Sequence, residues 1–307
     1  MTISRRQFAF NSAAFALMNR EPLYAARAGR RILVVDGINN HDWRTATVGI
    51  RSILSATGLF SVDVSTTPPR EARAEQWDAW KPEFSSYDAV INNFNGRESE
   101  SGVQWPGRVK DSLESYVRNG GGLVVFHAAN NAFLLWPAYN QMIGLGWRKK
   151  DFGRGIRISD DDRVVYIPQG TGMDPGHPDR MNFQIHVREI NHPITRTMPR
   201  VWMHPSEQLT HGQHGPAEGL TILTYASSPV SHANEPMDWV RRYGRGRVYT
   251  TMQGHTWAGE PSPNLDCVGF QTLFARGVEW AATGRVTIPI PPDFPGPEKI
   301  SLKPLHL

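Results

Sequence analysis

Four stretches of the chain place a histidine or a carboxylate directly after an apolar run, where a strand should end. They are Asn39-Asn40-His41-Asp42-Trp43, Phe126-His127-Ala128-Ala129-Asn130-Asn131, Trp202-Met203-His204-Pro205-Ser206-Glu207 and Met252-Gln253-Gly254-His255-Thr256-Trp257. Near neutral pH an imidazole serves as acid, base or metal ligand, and a carboxylate as acid, base or oxygen ligand. His41 falls where a substrate should lie, whereas Asp42 reads first as the N-cap of the helix that follows. The second stretch, preceded by Gly120-Gly121-Gly122, runs from strand through an abrupt turn to a helix. That makes an elbow, which lifts one side chain above the sheet edge. Its tip is His127 rather than serine or cysteine, so it offers a base, electrophile or ligand but no attacking hydroxyl or thiol.

In the third stretch, Glu207 stands near His204, His211 and His214, three histidines within eleven residues that resemble a metal supply. The His-x-x-His spacing of the last two carries little weight, because a loop places such a pair freely and usually leaves it solvated. In the fourth, Gly254 lets the backbone turn so that His255 faces the same rim. His177 and His192 are lesser candidates, the second reading as part of a structural turn. Other signatures are missing. Gly144-Leu145-Gly146 and Gly244-Arg245-Gly246 lack the third glycine of a dinucleotide loop, and no Walker sequence or His-Glu-x-x-His occurs, so no nucleotide cofactor is expected. Cys267 is the only cysteine of the 307 residues, which excludes an internal disulfide, a thiolate zinc cage and a redox pair.

Something must position these groups. Arg31–Asp36, Ser61–Ser65, Tyr87–Ile91 and Leu123–Phe126 read as strands, with amphipathic helices at Thr45–Thr57 and Val109–Arg118 between them. The strands are apolar without clean alternation, which suits a parallel sheet covered on both faces. Such sheets hold ligands outside the carboxyl ends of their strands. The loops Gly37–Trp43, Asn92–Gly96 and His127–Asn131 should therefore share one rim. Residues 146–218 read as an excursion of loops laid over that rim, with one strand at Phe183–Arg188. The regular pattern then returns with strands at Leu220–Tyr225, Trp239–Tyr243 and Arg247–Thr251, a closing helix Cys267–Ala281 and a proline-rich strap.

Composition sets the outer bounds. With 39% apolar and 20% charged residues the chain is neither disordered nor collagen-like, and no apolar run approaches the roughly 20 residues of a spanning helix. The formal charge of +4 owes much to the first residues. Ser4-Arg5-Arg6-Gln7-Phe8 is a twin-arginine pattern, followed by a mildly apolar stretch and by Ala26-Arg27-Ala28, small residues where a signal peptidase cuts. Residues 1–28 carry four arginines and one glutamate, so their removal leaves about +1 and no electrostatic case for nucleic acid. The expectation is a twin-arginine signal peptide at 1–28 and a periplasmic or secreted protein. The main domain should span 29–285 and the strap 286–307.

In this order the motifs resemble the ThuA-like (trehalose-utilisation) family of the class I glutamine amidotransferase-like superfamily. The resemblance rests on Asp36-Gly37-Ile38-Asn39-Asn40-His41-Asp42-Trp43, Asn93-Phe94-Asn95-Gly96, Gly121 to Ala129, Asn140 to Gly146, Asn191-His192-Pro193-Ile194, His204 to Glu207, Tyr243 to Tyr249 with Gly254-His255, Trp280 to Gly284, and Asp293-Phe294-Pro295. It covers nearly all of 31–295. It implies an α/β fold, a flavodoxin-like three-layer sandwich with a mostly parallel central sheet and long loops over its carboxyl edge. It also implies a sugar-directed cleft in which His41, His127, Glu207 and His255 are the catalytic positions. In related amidotransferases the elbow carries cysteine, so His127 argues against glutamine hydrolysis. Ser206-Glu207-Gln208-Leu209 departs from the family's Asp-Glu-Leu-Tyr, removing an acid and a phenol that could touch metal or substrate.

The family context points to 3-keto-glycosides, cleaved by base-assisted elimination and hydration, with or without a divalent metal such as zinc. In that reading His41, His127 and His255 shape or ligate the centre and Glu207 transfers the proton. Asp42, Trp43, Asn95, Asn130, Asn131, His204 and Trp257 would contact the sugar. The partner is a small-molecule sugar, with no nucleic acid and, after export, no membrane; a homo-oligomer stays open. Two alternatives stand beside this: a non-catalytic sugar binder of the same fold, and a metal-dependent hydrolase of unoxidised substrates.

Overall fold

A computed structural model describes residues 29–97 and 102–305; the twin-arginine segment lies outside them. The first half alternates as its periodicity predicts. Strand β1 (Arg30–Asp36) leads to helix α1 (Trp43–Ser55), β2 (Phe60–Thr66), a short α2 (Ala74–Ala79), β3 (Ala89–Asn92), α3 (Gly107–Arg118) and β4 (Gly122–Phe126). After the elbow comes a 3-10 turn over His127–Asn131 rather than an α-helix, and then α4 (Pro137–Ile143), opened by its proline.

The stretch expected to hold one strand, at Phe183–Arg188, holds that strand and four more: β5 (Arg154–Ile158), β6 (Val164–Ile167), β7 (Met181–Val187), β8 (Val201–Glu207) and β9 (His214–Gly215). Its prolines and glycines mask the pattern because these strands are short and antiparallel. In β7 the buried residues Phe183, Ile185 and Val187 do alternate with less buried ones. The remainder is β10 (Thr221–Ser228), β11 (Ala233–Tyr243), β12 (Gly246–Thr251), α5 (Pro263–Asp266) and α6 (Val268–Thr283).

All the strands join one sheet, whose main path runs β2-β1-β3-β4-β12-β11-β10-β7-β8. The first five are parallel, in the flavodoxin-like order, and from β11 onward the pairing is antiparallel. Strands β1, β3, β4 and β12 thus lie side by side with their carboxyl ends on one edge. The central strands bury both faces, which explains their unbroken apolar runs. Ile32 and Val34 of β1 pack with α1 and α6, and Leu33 and Val35 face the opposite core, with α3 and α4. Each such side chain removed from water contributes about 1.5–3 kcal/mol, so the sheet edge that carries the loops is a rigid platform. The terminal strap packs Val286, Ile288, Ile290 and Phe294 on the α6 side. It is tied down by Arg276, which donates to the Ile288 carbonyl, and by Glu279, which accepts from the Thr287 amide at 2.8 Å.

Candidate functional site

Three strand ends deliver three imidazoles to one point. His41 follows β1, His127 ends β4 and His255 follows β12, and their ligating atoms all lie within 4.8 Å of one another. The ring centroids are 5.0 Å apart for His41–His127, 4.1 Å for His41–His255 and 4.7 Å for His127–His255. His127 takes a positive φ of 42°, costly for a non-glycine residue; this is the elbow that turns its ring over the sheet edge.

Hydrogen bonds fix these rings. His127 Nδ1–H donates to the Met252 carbonyl at 2.6 Å, which ties β4 to β12 and leaves Nε2 with its lone pair toward the cluster. His41 Nδ1 donates to Asn40 Oδ1 at 2.9 Å, leaving its own Nε2 free in the same way. The loops carrying His41 and His255 are laced together, since Thr256 Oγ1 donates to the Asp42 carbonyl at 2.8 Å and the Asp42 amide donates to Thr256 O at 3.3 Å. His255 stacks on Trp257 at 3.9 Å with the rings 7° from parallel, and Arg180 lies 4.2 Å over the same indole.

All three imidazoles are kept neutral. Burial pushes His41 down to about 2, helped by His127 and His177, and pushes His255 further down, helped by His127 and His41. His127 is lowered by burial against a weaker pull from Glu207. Neutral rings with free nitrogen lone pairs are what a divalent metal requires. His255 Nδ1 is buried without any hydrogen-bond partner, an orphan that ligation would satisfy. Three converging imidazole ligands, rather than the four of a closed structural site, match a catalytic zinc site, so the donor set fits the ion.

The other expected site residues divide. Glu207 does not line the cleft. It is fully buried, and its Oε2 accepts from the Gly254 amide at 2.7 Å, the His255 amide at 3.2 Å and Asn264 Nδ2 at 2.9 Å, while Oε1 accepts from the Gln208 amide at 3.0 Å. Its oxygens are taken up by the backbone that carries His255, by the Gln208 amide and by Asn264, so the expected proton-transfer position is instead a buried anchor of that loop. His204 is likewise fully buried in β8 beside Phe183 and Phe270, with Nε2 3.6 Å from Glu207. Burial pushes His204 down, but Cys267 and Glu207 outweigh it and hold it above its ordinary range. His204, expected to touch the sugar, thus lies in the interior beside Glu207.

Asp42 caps α1, accepting from the Thr45 amide at 3.2 Å. Asn95 donates to Asn40 and accepts from the Arg97 amide at 2.8 Å, a scaffold role between the loops after β1 and β3. Asn130 is fully buried and donates to Gln213 Oε1 at 2.9 Å. Asn131 is buried too, and its carbonyl accepts from Arg148 at 3.1 Å. Trp43 and Trp257 remain half-buried at the rim. His211 and His214 are not a solvated loop pair: both are buried, and His214 bonds the carbonyls of Gly153 and Met173.

Sequence reasoning underrated His177, which is exposed with its ring 6.2 Å from His255 and 5.8 Å from half-buried Trp147. It missed Trp147 and Asn264 altogether. No local signal marks Asn264, whose role depends on β8 lying beside α5. Trp147 could have been found from its place after the glycines that break α4.

The family model for trehalose utilisation, ThuA, matches residues 31–281. The chain belongs to the ThuA family. That family lies within the glutamine amidotransferase-like superfamily. A ThuA-like protein from Parabacteroides merdae is 32% identical, superimposes with a TM-score of 0.83, and the match covers 90% of this chain and 98% of that one. A second ThuA-like protein, from Bacteroides uniformis, shares the fold at 16% identity and a TM-score of 0.52, over 86% of this chain and 98% of its own. No curated protein matches the chain.

Proposed function

We propose that this ThuA-family chain is an exported carbohydrate-active enzyme that cleaves 3-keto-glycosides at the three-histidine cluster. The observation carrying this reading is the convergence of three neutral imidazoles on one point at the carboxyl edge of the sheet. A ketone at C3 acidifies the C2 proton. Its removal lets the C2 electrons form a C1–C2 double bond as the C1–oxygen bond breaks, and water then adds across that bond. The sequence of steps needs a base, an acid and stabilisation of an enolate, and no nucleophile.

His177 is best placed to move the proton. Its Nδ1–H donates to the Pro178 carbonyl at 3.0 Å, so Nε2 is left to take the C2 proton and return it to the departing oxygen. Trp147, half-buried beside it, offers an apolar face for the sugar ring, whereas both faces of Trp257 are taken by His255 and Arg180. His41, His127 and His255 would hold a divalent ion such as zinc, which when bound supplies Lewis acidity toward the ketone and the developing enolate. Glu207 keeps the His255 ring in register through the backbone.

The purified protein, incubated with a 3-keto-glucoside and with its unoxidised parent, should release the aglycone from the first alone. Equal turnover of both would favour metal-dependent hydrolysis. A metal-free protein that binds sugar and cleaves neither would be a binder.

A further inference from the structure

A cavity of about 360 Å3 opens beside the histidine cluster on the same edge of the sheet, at the ends of β1, β2 and β3. Among the described residues, Arg44, Arg70 and Arg97 line it beside one acid, Glu71. Among the described residues no carboxylate lies within ion-pair distance of any of the three guanidiniums. Arg44 lies 4.1 Å over the Trp43 ring, and Arg70 spends one nitrogen on the Gly96 carbonyl at 3.2 Å, so both present unused donors. Asp36, at the end of β1, feels Arg44, yet its carboxylate already accepts from Thr47 and Thr66 at 2.7 Å each, and burial pushes it toward the neutral form.

Helix α1 begins at Trp43 in the cavity wall, but its N-terminus is already capped by the Asp42 carboxylate, so the positive field of the cavity comes from the arginines alone. One further feature bears on the occupant. Thr67, another lining residue, is only 5% exposed and its Oγ1 has no hydrogen-bond partner. The space for that hydroxyl exists because residue 37 is glycine at φ +129°; a Cβ there would lie 2.1 Å from Thr67 Oγ1.

We propose that this cavity is an anion subsite that holds a carboxylate or phosphate substituent of the sugar, making acidic glycosides the preferred substrate class. The inference rests on the sugar-cleaving reading, because cavity and cluster share a wall: Asn39 lines the one, and its Oδ1 accepts the His41 amide at 3.0 Å in the other. Guanidinium forks match both oxyanions, so comparison of ligands decides between them.

Titration calorimetry of the full chain against glucose, glucuronic acid and glucose 6-phosphate tests the subsite. One of the acids should bind at least about tenfold more tightly than glucose, the least that one charge-assisted hydrogen bond supplies. High salt and the double variant Arg44→Gln/Arg97→Gln should both abolish the advantage; glucuronic acid as the winner indicates a carboxylate, glucose 6-phosphate a phosphate. Equal affinity for all three sugars, or a preference that survives the double variant, overturns the subsite. Cleavage of a neutral 3-keto-glucoside is read separately. If it proceeds without any acid preference, the subsite alone fails; if the arginines govern binding and no 3-keto-glycoside is cleaved, the cleavage reading alone fails.

Discussion

The carboxylate of Glu207 is bonded to the backbone amide of His255 and not to its ring: Oε2 lies 3.2 Å from that nitrogen and 2.7 Å from the amide of Gly254. An acid at the end of β8 therefore sets the position of an imidazole at the end of β12. Glu207→Gln removes the charge that two amides and Asn264 share and, with its oxygen at the Oε2 position, sets an NH2 group against the Gln208 amide. The variant should fold and lose about 10–100-fold in zinc affinity, as other outer-shell substitutions do. Glu207→Ala should also destabilise by about 3–5 kcal/mol, because His204 is left as an uncompensated buried charge. Zinc titration with a competing chelator, beside urea unfolding, measures both. Unchanged affinity in Glu207→Gln would show that the clamp is idle.

Removal of any one cluster ring should abolish stable metal retention. His41→Ala, His127→Ala and His255→Ala are each expected to fall from one bound zinc per chain toward none in elemental analysis, with activity on a 3-keto-glucoside lost in parallel. A variant that keeps its zinc would remove that histidine from the ligand set.

The depressed imidazoles make stability depend on pH with a definite sign. Between about pH 6.5 and 2 the unfolded chain protonates His41 while the folded chain does not, so stability falls as the pH falls through that window. His127 and His255 act in the same direction. His204, raised in the folded state, contributes stability that is full below about pH 6.5 and is lost as the pH rises through its folded value. Melting temperature of the metal-free protein should therefore peak near pH 6.5. In His41→Gln the acid limb should be shallower; an unchanged limb would mean that His41 is not held neutral.

Gly254 is needed for a conformational reason. It lies at φ +103°, and a Cβ would sit 2.4 Å from the Phe126 ring, which is itself packed in the core. Gly254→Ala should cost about 1–3 kcal/mol in strain and shift His255 off the cluster. Denaturant midpoint and zinc affinity should drop together, whereas loss of stability with intact zinc binding would separate the turn from the site.

Much of the parallel half was legible because its cause is local. The apolar runs of β1, β3 and β4 are buried on both faces, and each strand end is marked by an abrupt change to polar loop residues. The antiparallel half was less legible. Strands β5, β6 and β9 have five residues or fewer, and β8 carries a proline, so their pairing with partners distant in sequence, more than any local window, decides them. His41, His127 and His255 stood out because each lies within five residues of the end of an apolar strand run, and parallel strands bring their ends to one edge.

The sequence by itself determined which strands exist in the parallel half, which imidazoles stand at their ends, and that the elbow offers a ring and no nucleophile. Only the tertiary structure decided what each group faces. Glu207 and His204 stand at a strand end as plausibly as His255 does, but β8 lies at the far end of the sheet path and approaches the cluster from behind the β12 loop. A carboxylate arriving from that side meets backbone amides before it can meet a ligand. Burial, which no single sequence position encodes, spends the Glu207 carboxylate on backbone amides. The course of the chain between β6 and β7 brings the exposed His177 to the rim.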